Sequence, residues 1–133
     1  MSRIEEWNTP PFASTKEGQL VVVDFFATWC PPCKKAAPLF ARMSIAYDSP
    51  DVERIAFLKV DVDKVKALAK QEKIGAMPTF RLYKRQKDGK LLQVDEMVGW
   101  SEAKLKALID RHLEANQQQP DTQAIAPETK KTI

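Results

Sequence analysis

Two cysteines are the residues of this chain with the clearest capacity for chemistry. Cys30 and Cys33 are its only cysteines, and they stand three positions apart in the run Trp29-Cys30-Pro31-Pro32-Cys33. The run separates an apolar stretch typical of a strand from a stretch typical of a helix. The sulfur of Cys30 is therefore expected near a helix N-terminus, where the positive end of the helix dipole stabilises a thiolate. Cys33, one turn later, can reach back to it. This arrangement suits thiol–disulfide exchange, in which Cys30 attacks a disulfide and Cys33 resolves the mixed disulfide.

Two other uses of the cysteine pair stay open. A structural zinc site takes about four ligands, whereas the chain offers two cysteines and one histidine, His112, far away in sequence. We therefore expect no metal site within one chain, which reduces the metal alternative to an ion shared between two chains. The other alternative is a pair of buried cysteines that only pack. The redox interpretation needs no cofactor beyond a Cys30–Cys33 disulfide.

Composition and charge narrow the class of protein. The 133 residues are 44% hydrophobic, which is enough for one domain with one core. The 21 basic and 18 acidic side chains are interspersed, so we expect neither nucleic acid nor a membrane as partner. Glu5 and Glu6 stand where a signal peptide needs a basic region followed by apolar residues. We expect a soluble, cytoplasmic protein, and in that compartment a close cysteine pair is more often catalytic or metal-binding than structural.

The hydrophobic pattern predicts alternating strands and helices. Residues 21–26 are nearly all apolar and β-branched or aromatic, as in a central strand covered on both faces. Ser2 and Glu5 have capping-box spacing, which predicts an N-terminal helix that Pro10 and Pro11 end. The other predicted elements are a helix over 30–47, a strand over 54–61, a helix capped by Asp63 over 63–73, strands over 79–84 and 91–98 around a turn at 87–90, and a helix capped by Ser101. This order predicts an α/β fold in which a mixed sheet of four to five strands lies between helices.

A change in composition divides the chain into a domain and a tail. Residues 1–115 are expected to form the folded domain. Residues 116–133 are polar, contain proline and have few apolar side chains. Such a segment cannot bury enough surface to offset its ordering entropy, so it is predicted to be a disordered C-terminal tail.

Several motifs together resemble the thioredoxin family. The run Val22-Val23-Asp24-Phe25-Phe26-Ala27-Thr28-Trp29-Cys30-Pro31-Pro32-Cys33-Lys34 resembles the active-site segment of that family, and Ala76-Met77-Pro78-Thr79-Phe80 resembles its cis-proline loop. Lys59 and the turns at Gly89 and Gly99 also stand where the family places them. The resemblance extends over residues 20–113. It implies the thioredoxin fold and the reduction of protein disulfides with electrons from an NADPH-dependent thioredoxin reductase.

Asp24, Lys59 and Pro78 are the further candidate catalytic residues. Asp24 is a charge within an apolar strand, and because uncompensated burial of a charge is costly, it needs a raised pKa or a partner. The resemblance implies that Asp24 moves a proton to and from Cys33, with Lys59 nearby. The alternatives are a solvated aspartate at a strand end and an ordinary surface lysine. For Pro78, only the resemblance implies a cis peptide bond, because most X–Pro bonds are trans.

The candidate substrate-binding residues are expected to surround Cys30 in the fold that the resemblance implies. They are Trp29, Pro31, Pro32, Met77, Val98, Gly99 and Trp100. A cis Pro78 would leave the backbone of Met77 open to pair with an extended substrate segment. The alternative for Trp100 is ordinary core packing. Where the family usually has glycine, this chain has Pro31, as in tryparedoxins and nucleoredoxins. The family's N-terminal edge strand is expected to be absent, because a helix is predicted there.

Three functions are compatible with these features. The first is a general protein-disulfide reductase, expected to act as a monomer. The second is a dedicated redox partner of one enzyme, such as a peroxidase. The third is a non-catalytic binding module of the same fold, against which the complete set of Cys30, Cys33, Asp24 and Pro78 argues.

Overall fold

A five-stranded sheet with three helices makes up the described part of the chain, which is residues 4–6, 17–47 and 54–118 of a computed structural model. The elements in chain order are β1 (Ile4–Glu6), β2 (Leu20–Phe26), α1 (Pro31–Ala46), β3 (Ile55–Asp61), α2 (Lys66–Gln71), β4 (Thr79–Arg85), β5 (Leu91–Val98) and α3 (Glu102–Gln118). The strands lie in the order β1-β3-β2-β4-β5. β2 runs parallel to β3 and antiparallel to β4. The predicted mixed sheet is confirmed, with its most apolar strand at the centre.

The two faces of the sheet bury different side chains, because successive residues of a strand point in opposite directions. On one face, Leu20 and Val22 of β2 pack with buried residues of α1 and α3, among them Phe40 and Ile109. On the other face, alternate residues of β2 pack with Leu68 of α2. The sheet therefore lies between helices, as the alternation of elements predicts.

The predicted N-terminal helix is wrong. Ile4–Glu6 is a strand that pairs in parallel with β3 at the edge of the sheet. Although glutamate favours helices, β3 would otherwise present unpaired backbone groups along its outer edge, and pairing with that edge outweighs the local preference. The edge strand of the family is consequently present. Ser2, Pro10 and Pro11 lie outside the described residues.

The predicted cap of α2 is also wrong. α2 begins at Lys66, and Val65 precedes it without a capping hydrogen bond from its side chain. The carboxylate of Asp63 instead accepts a hydrogen bond from the indole of Trp29, 34 positions earlier in the chain. A contact between residues this distant in sequence does not appear in the capping pattern, which depends on neighbours in the chain.

The last helix begins where the sequence indicates. The hydroxyl of Ser101 accepts a hydrogen bond from the backbone N–H of Lys104 at 3.3 Å, which confirms the predicted cap. α3 continues to Gln118, two residues past Asn116, and the remainder of the predicted tail lies outside the described residues. Within the described ranges, no helix is both long and apolar enough to cross a membrane.

Candidate active site

The two cysteines lie at the N-terminus of α1, directly after the central strand. Cys30 is the N-cap residue, and its sulfur accepts a hydrogen bond from the backbone N–H of Cys33 at 3.3 Å. Pro31 and Pro32 occupy the first two helical positions, where a missing N–H costs least. The cysteines form a disulfide with 5.2 Å between their Cα atoms. Within the motif, Cys33 is thus the one backbone donor to the sulfur of Cys30.

Both cysteines are buried in the disulfide form. Cys30 is 4% exposed and Cys33 is 3% exposed, so exposure does not distinguish the two. What differs is their position: Cys30 is held at the helix start between the exposed residues Trp29 and Pro31, whereas Cys33 is already inside the first turn. The expectation that Cys30 is the attacking thiol accordingly depends on the helix terminus and not on its exposure.

The cis-proline loop lies against Cys30. The Met77–Pro78 peptide bond is cis, which confirms what the resemblance implies. The carbonyl oxygen of Met77 is 3.6 Å from the sulfur of Cys30. The loop is held from both sides, because the Thr79 hydroxyl donates to the carbonyl of Ala76 at 2.6 Å and the Gly99 N–H donates to the carbonyl of Pro78 at 2.8 Å.

Gly99 belongs to this arrangement because of its backbone conformation. Its φ is +86°, which residues with a side chain rarely adopt. This conformation follows β5 and presents the Gly99 N–H to the carbonyl of Pro78. The turn after β5 and the cis-proline loop are therefore fixed to each other beside the disulfide.

Asp24 is buried at the centre of β2, as the sequence predicts. Only 5% of it is exposed, and its Oδ1 atom has no hydrogen-bond partner within the described part of the chain. Burial raises the pKa of Asp24 to about 7, against the opposing effect of Lys59, its direct neighbour on β3. The alternation along β2 places Asp24 on the same face as Val22, the face covered by α1, which carries Cys33. A group with this pKa exchanges a proton readily near neutral pH.

Replacing Lys59 by methionine is expected to raise the pKa of Asp24. The positive charge of Lys59 favours the charged carboxylate, so its removal leaves the effect of burial unopposed. We expect an increase of roughly half a unit to one unit, since the lysine is half-buried and screened by water. Carbon NMR of the Asp24 carboxyl across pH in the oxidised protein measures the change. Lys104→Met, on the exposed side of α3, is the matched control, and an equal shift in both variants would contradict the assignment.

Trp29, next to Cys30 in the chain, and Val98, the ladder partner of Thr79, are exposed apolar side chains. Trp29 is 63% exposed and Val98 is 60% exposed. The indole N–H of Trp29 donates to Oδ2 of Asp63 at 2.8 Å, which fixes the orientation of an otherwise exposed ring. Asp63 is a site residue that the sequence analysis missed, although its place just after β3, parallel to β2, is a signal that could have indicated it.

Trp100 packs in the core, which is the alternative to a place in the substrate groove. Its ring packs against Phe80, with 5.3 Å between the ring centroids, and belongs to the larger core cluster. The apolar side chains that pack around Cys30 and Cys33 are instead Ala27, Phe26, Val62 and Met77. A role for Trp100 in the substrate groove stays a prediction.

His112, the other side chain considered as a metal ligand, contacts an aspartate on β5. His112 lies 3.0 Å from Oδ2 of Asp95, which connects α3 with β5. No group of three or more potential metal-ligating side chains occurs among the described residues. What the geometry offers for chemistry is therefore the cysteine pair, a buried acid and the backbone of the cis-proline loop beside Cys30.

Comparison with known proteins gives a consistent result. The thioredoxin family model matches residues 7–111. A thioredoxin H-type from Chlamydomonas reinhardtii is 46% identical over 109 residues, which cover 82% of this chain and 88% of that protein. A thioredoxin from Coprinus comatus is 37% identical over 113 residues, which cover 85% of this chain and 95% of that protein.

Solved structures agree with the sequence matches. Thioredoxin NaTrxh from Nicotiana alata superposes with a TM-score of 0.69 at 34% identity, covering 84% of this chain and 93% of that one. Thioredoxin from Malassezia sympodialis superposes with a TM-score of 0.68 at 35% identity, covering 84% and 92%. The chain therefore belongs to the thioredoxin family and is a thiol–disulfide oxidoreductase that reduces protein disulfides.

Proposed function

We propose that Cys30 attacks substrate disulfides and that Cys33 resolves the product. The Cys30 thiolate attacks one substrate sulfur, breaks the substrate S–S bond and releases the other sulfur as a thiolate. Cys33 then loses its proton and attacks the sulfur of Cys30, which forms the Cys30–Cys33 disulfide and releases the second substrate thiol. The substrate gains two electrons, and the cysteine pair loses them. The position of Cys30 at the helix start is the observation that carries this assignment.

Asp24 is proposed to accept the proton of Cys33. A thiol is a weak nucleophile until it is deprotonated, so resolution needs a nearby base. A buried carboxyl whose pKa is about 7 suits the task, since it takes up and returns a proton near neutral pH. Lys59 is proposed to keep that pKa from rising further.

The surface next to Cys30 is proposed to bind an extended segment of the substrate protein. The backbone of Met77 lies against the sulfur of Cys30, where a substrate strand can pair with it. The exposed side chains of Trp29, Pro31, Pro32 and Val98 supply apolar contact beside that strand. Gly99 and Trp100 are proposed to close the same groove.

The physiological setting proposed is a monomeric, cytoplasmic reductase. Its partners are disulfide-containing proteins and an NADPH-dependent thioredoxin reductase that regenerates the dithiol. No cofactor beyond the cysteine pair is proposed. Membership of the thioredoxin family supports a thioredoxin reductase as the electron donor. The monomer is supported by the sheet, whose two faces are both covered by apolar side chains of the same chain.

Insulin reduction tests this function. NADPH, a thioredoxin reductase and catalytic amounts of the protein are expected to reduce insulin disulfides over many turnovers, measured as NADPH oxidation. Omission of the reductase is the control and should stop turnover. If the protein turns over with a chemical dithiol but not with the reductase, it is a dedicated partner with another electron donor. If it fails with both, the binding-module alternative holds.

Replacing Pro31 by glycine is expected to lower the pKa of the Cys30 thiol and to make the potential less negative. Glycine restores a backbone N–H at the helix start, and a donor near the sulfur stabilises the thiolate of the reduced form. One added hydrogen bond corresponds to about 10 to 30 mV in potential and roughly half a unit to one unit in pKa. Thiolate absorbance across pH and equilibration with glutathione measure the two changes.

Pro31→Ala separates the new donor from the flexibility of glycine. Alanine also supplies an N–H, but it restricts the backbone more than glycine does. If the donor is the cause, both variants shift in the same direction by similar amounts. An unchanged or raised Cys30 pKa in both would mean that the donor has no influence.

A further inference from the structure

A buried arginine follows the cis-proline loop on β4. Arg81 is on β4, three residues after the cis Pro78, and only 6% of it is exposed. Burying a guanidinium is costly unless carboxylates and hydrogen bonds compensate it. Arg81 faces the α2 side of the sheet, because its guanidinium carbon lies 5.8 Å from the ring centroid of Phe25. It is therefore on the opposite face from Asp24.

Two carboxylates compensate the charge, and they come from different elements. Nη1 of Arg81 is 3.2 Å from Oε1 of Glu72, and Nη2 is 2.9 Å from Oε2 of Glu96. Nε of Arg81 also donates to the same oxygen of Glu96 at 2.9 Å. One planar guanidinium thus contacts two acids at once, which the point charge of a lysine cannot reproduce.

The contact between Arg81 and Glu72 joins the two ends of the segment that contains the cis-proline loop. Glu72 is the C-cap residue of α2, and Lys73 directly after it has a φ of +58°. The chain then runs through Met77 and the cis Pro78 to Arg81, nine positions after Glu72. The two ends of the segment that carries the Met77 backbone are accordingly joined by a partly buried ion pair.

The contact with Glu96 joins the same arginine to the other side of the groove. Arg81 and Glu96 are direct partners in the β4–β5 ladder, and Val98 follows two residues later on β5. Arg81 therefore connects the cis-proline loop, which lies against Cys30, with the end of β5.

Tyr83 fixes the geometry of this ion pair. Its hydroxyl accepts from Nη1 of Arg81 at 3.3 Å and donates to Oε1 of Glu72 at 2.6 Å. Burial and the Glu72 carboxylate raise the pKa of Tyr83, so its phenol keeps the proton that it donates. A closed set of three polar groups tolerates displacement less than a single pair, because moving one member breaks two contacts.

We propose that Arg81 is a positioning residue for protein substrates: by holding Glu72 and Glu96, it fixes the Met77–Pro78 peptide and Val98 relative to Cys30. Its loss weakens the binding of an extended polypeptide and leaves the thiol chemistry intact. Small disulfides, which do not pair with the Met77 backbone, do not depend on it. The inference rests on the proposed role of the cis-proline loop in substrate binding.

Arg81→Met is the principal test, since methionine keeps an apolar stem against Phe25 but removes the charge. We expect the KM for insulin to rise by about fivefold to tenfold, with kcat within about twofold of wild type. Reduction of cystine by the reduced protein and the redox potential should be unchanged. Backbone amides of residues 74–77 should exchange hydrogen faster, while those of β2 should not.

Matched variants identify the cause of the change. Glu72→Gln removes one charge of the pair and should raise the insulin KM, but by less than Arg81→Met does. Arg81→Lys keeps the positive charge, so its insulin KM should lie between those of wild type and Arg81→Met. Lys106→Met breaks the exposed Lys106–Asp110 pair on α3 and should change nothing. If Arg81→Met does not fold, Glu72→Gln decides by the same criteria.

Three results would overturn the inference. They are an insulin KM that stays within about twofold of wild type, an equal loss with insulin and cystine, and unchanged hydrogen exchange at residues 74–77. The failure of wild-type protein to reduce insulin would instead count against the proposed function. The hydrogen-exchange comparison would then still decide whether Arg81 holds the loop.

Discussion

Cys30→Ser is expected to lower insulin reduction by more than about a thousandfold, because it removes the atom that forms the first covalent bond with the substrate. Serine has nearly the same size and shape as cysteine, and its hydroxyl can still accept the N–H of Cys33 at the start of α1. The fold is consequently expected to remain, and the loss should appear in turnover and not in the free energy of unfolding. NADPH oxidation in the coupled insulin assay measures it.

Cys33→Ser should fail at a different step. Cys30 can still attack, but nothing resolves the product, so a covalent complex between the variant and its substrate should accumulate. Non-reducing electrophoresis with a disulfide-containing protein such as insulin detects it, and the complex should disappear with a chemical dithiol. Cys30→Ser is the control and should form no complex.

The two variants together also test the assignment of roles. In the disulfide form both cysteines are buried to nearly the same extent, so their exposure cannot predict which one attacks. If Cys30→Ser trapped substrates and Cys33→Ser did not, the roles would be reversed. The argument from the N-terminus of α1 would then be wrong for this protein.

Asp24→Asn is expected to stabilise the folded protein above neutral pH by up to about 4 kcal/mol. Burial raises the pKa of Asp24 from 3.8 to about 7, which means that the folded state binds a proton more tightly than the unfolded chain does. Below about pH 4 the carboxyl is neutral in both states and carries no penalty. As the pH rises towards 7, the unfolded chain loses the proton first, so the wild-type protein becomes progressively less stable. Above about pH 7 the penalty is constant.

Urea unfolding of both proteins between pH 4 and pH 8 measures this effect. The stability of the variant relative to wild type should increase across that range, whereas any cost of burying the asparagine amide is the same at each pH. Comparing the pH dependence therefore isolates the charge of Asp24. A difference that stays constant with pH would show that Asp24 is not raised in pKa.

The same substitution should slow the resolution step. Without a base near Cys33, the mixed disulfide should persist about a hundredfold longer, at the low end of what a positioned base contributes, because water can replace part of its function. Quenched-flow trapping of the covalent complex measures its lifetime. If the Asp24→Asn variant is more stable and yet its mixed disulfide is resolved at the wild-type rate, Asp24 does not take part in proton transfer.

Local signals were sufficient for most of the fold. The apolar run of β2, the turn before β5 and the cap at Ser101 each depend on residues close together in the chain, so their structure could be predicted from sequence. The spacing of Cys30 and Cys33 likewise indicated a redox pair, because one helical turn brings residues three apart to the same side.

The tertiary structure decided whatever depends on contacts between distant segments. β1 forms because β3 offers an unpaired edge, although its own residues predicted a helix. Asp63 contacts Trp29 and does not cap α2. Arg81 is buried where two acids from separate elements converge on its charge, and no pattern along the chain reveals that convergence. The physical reason is the same in each case: a hydrogen bond or ion pair between remote residues has a free energy that depends on the folded geometry, whereas capping, turn and periodicity signals depend on neighbours in sequence.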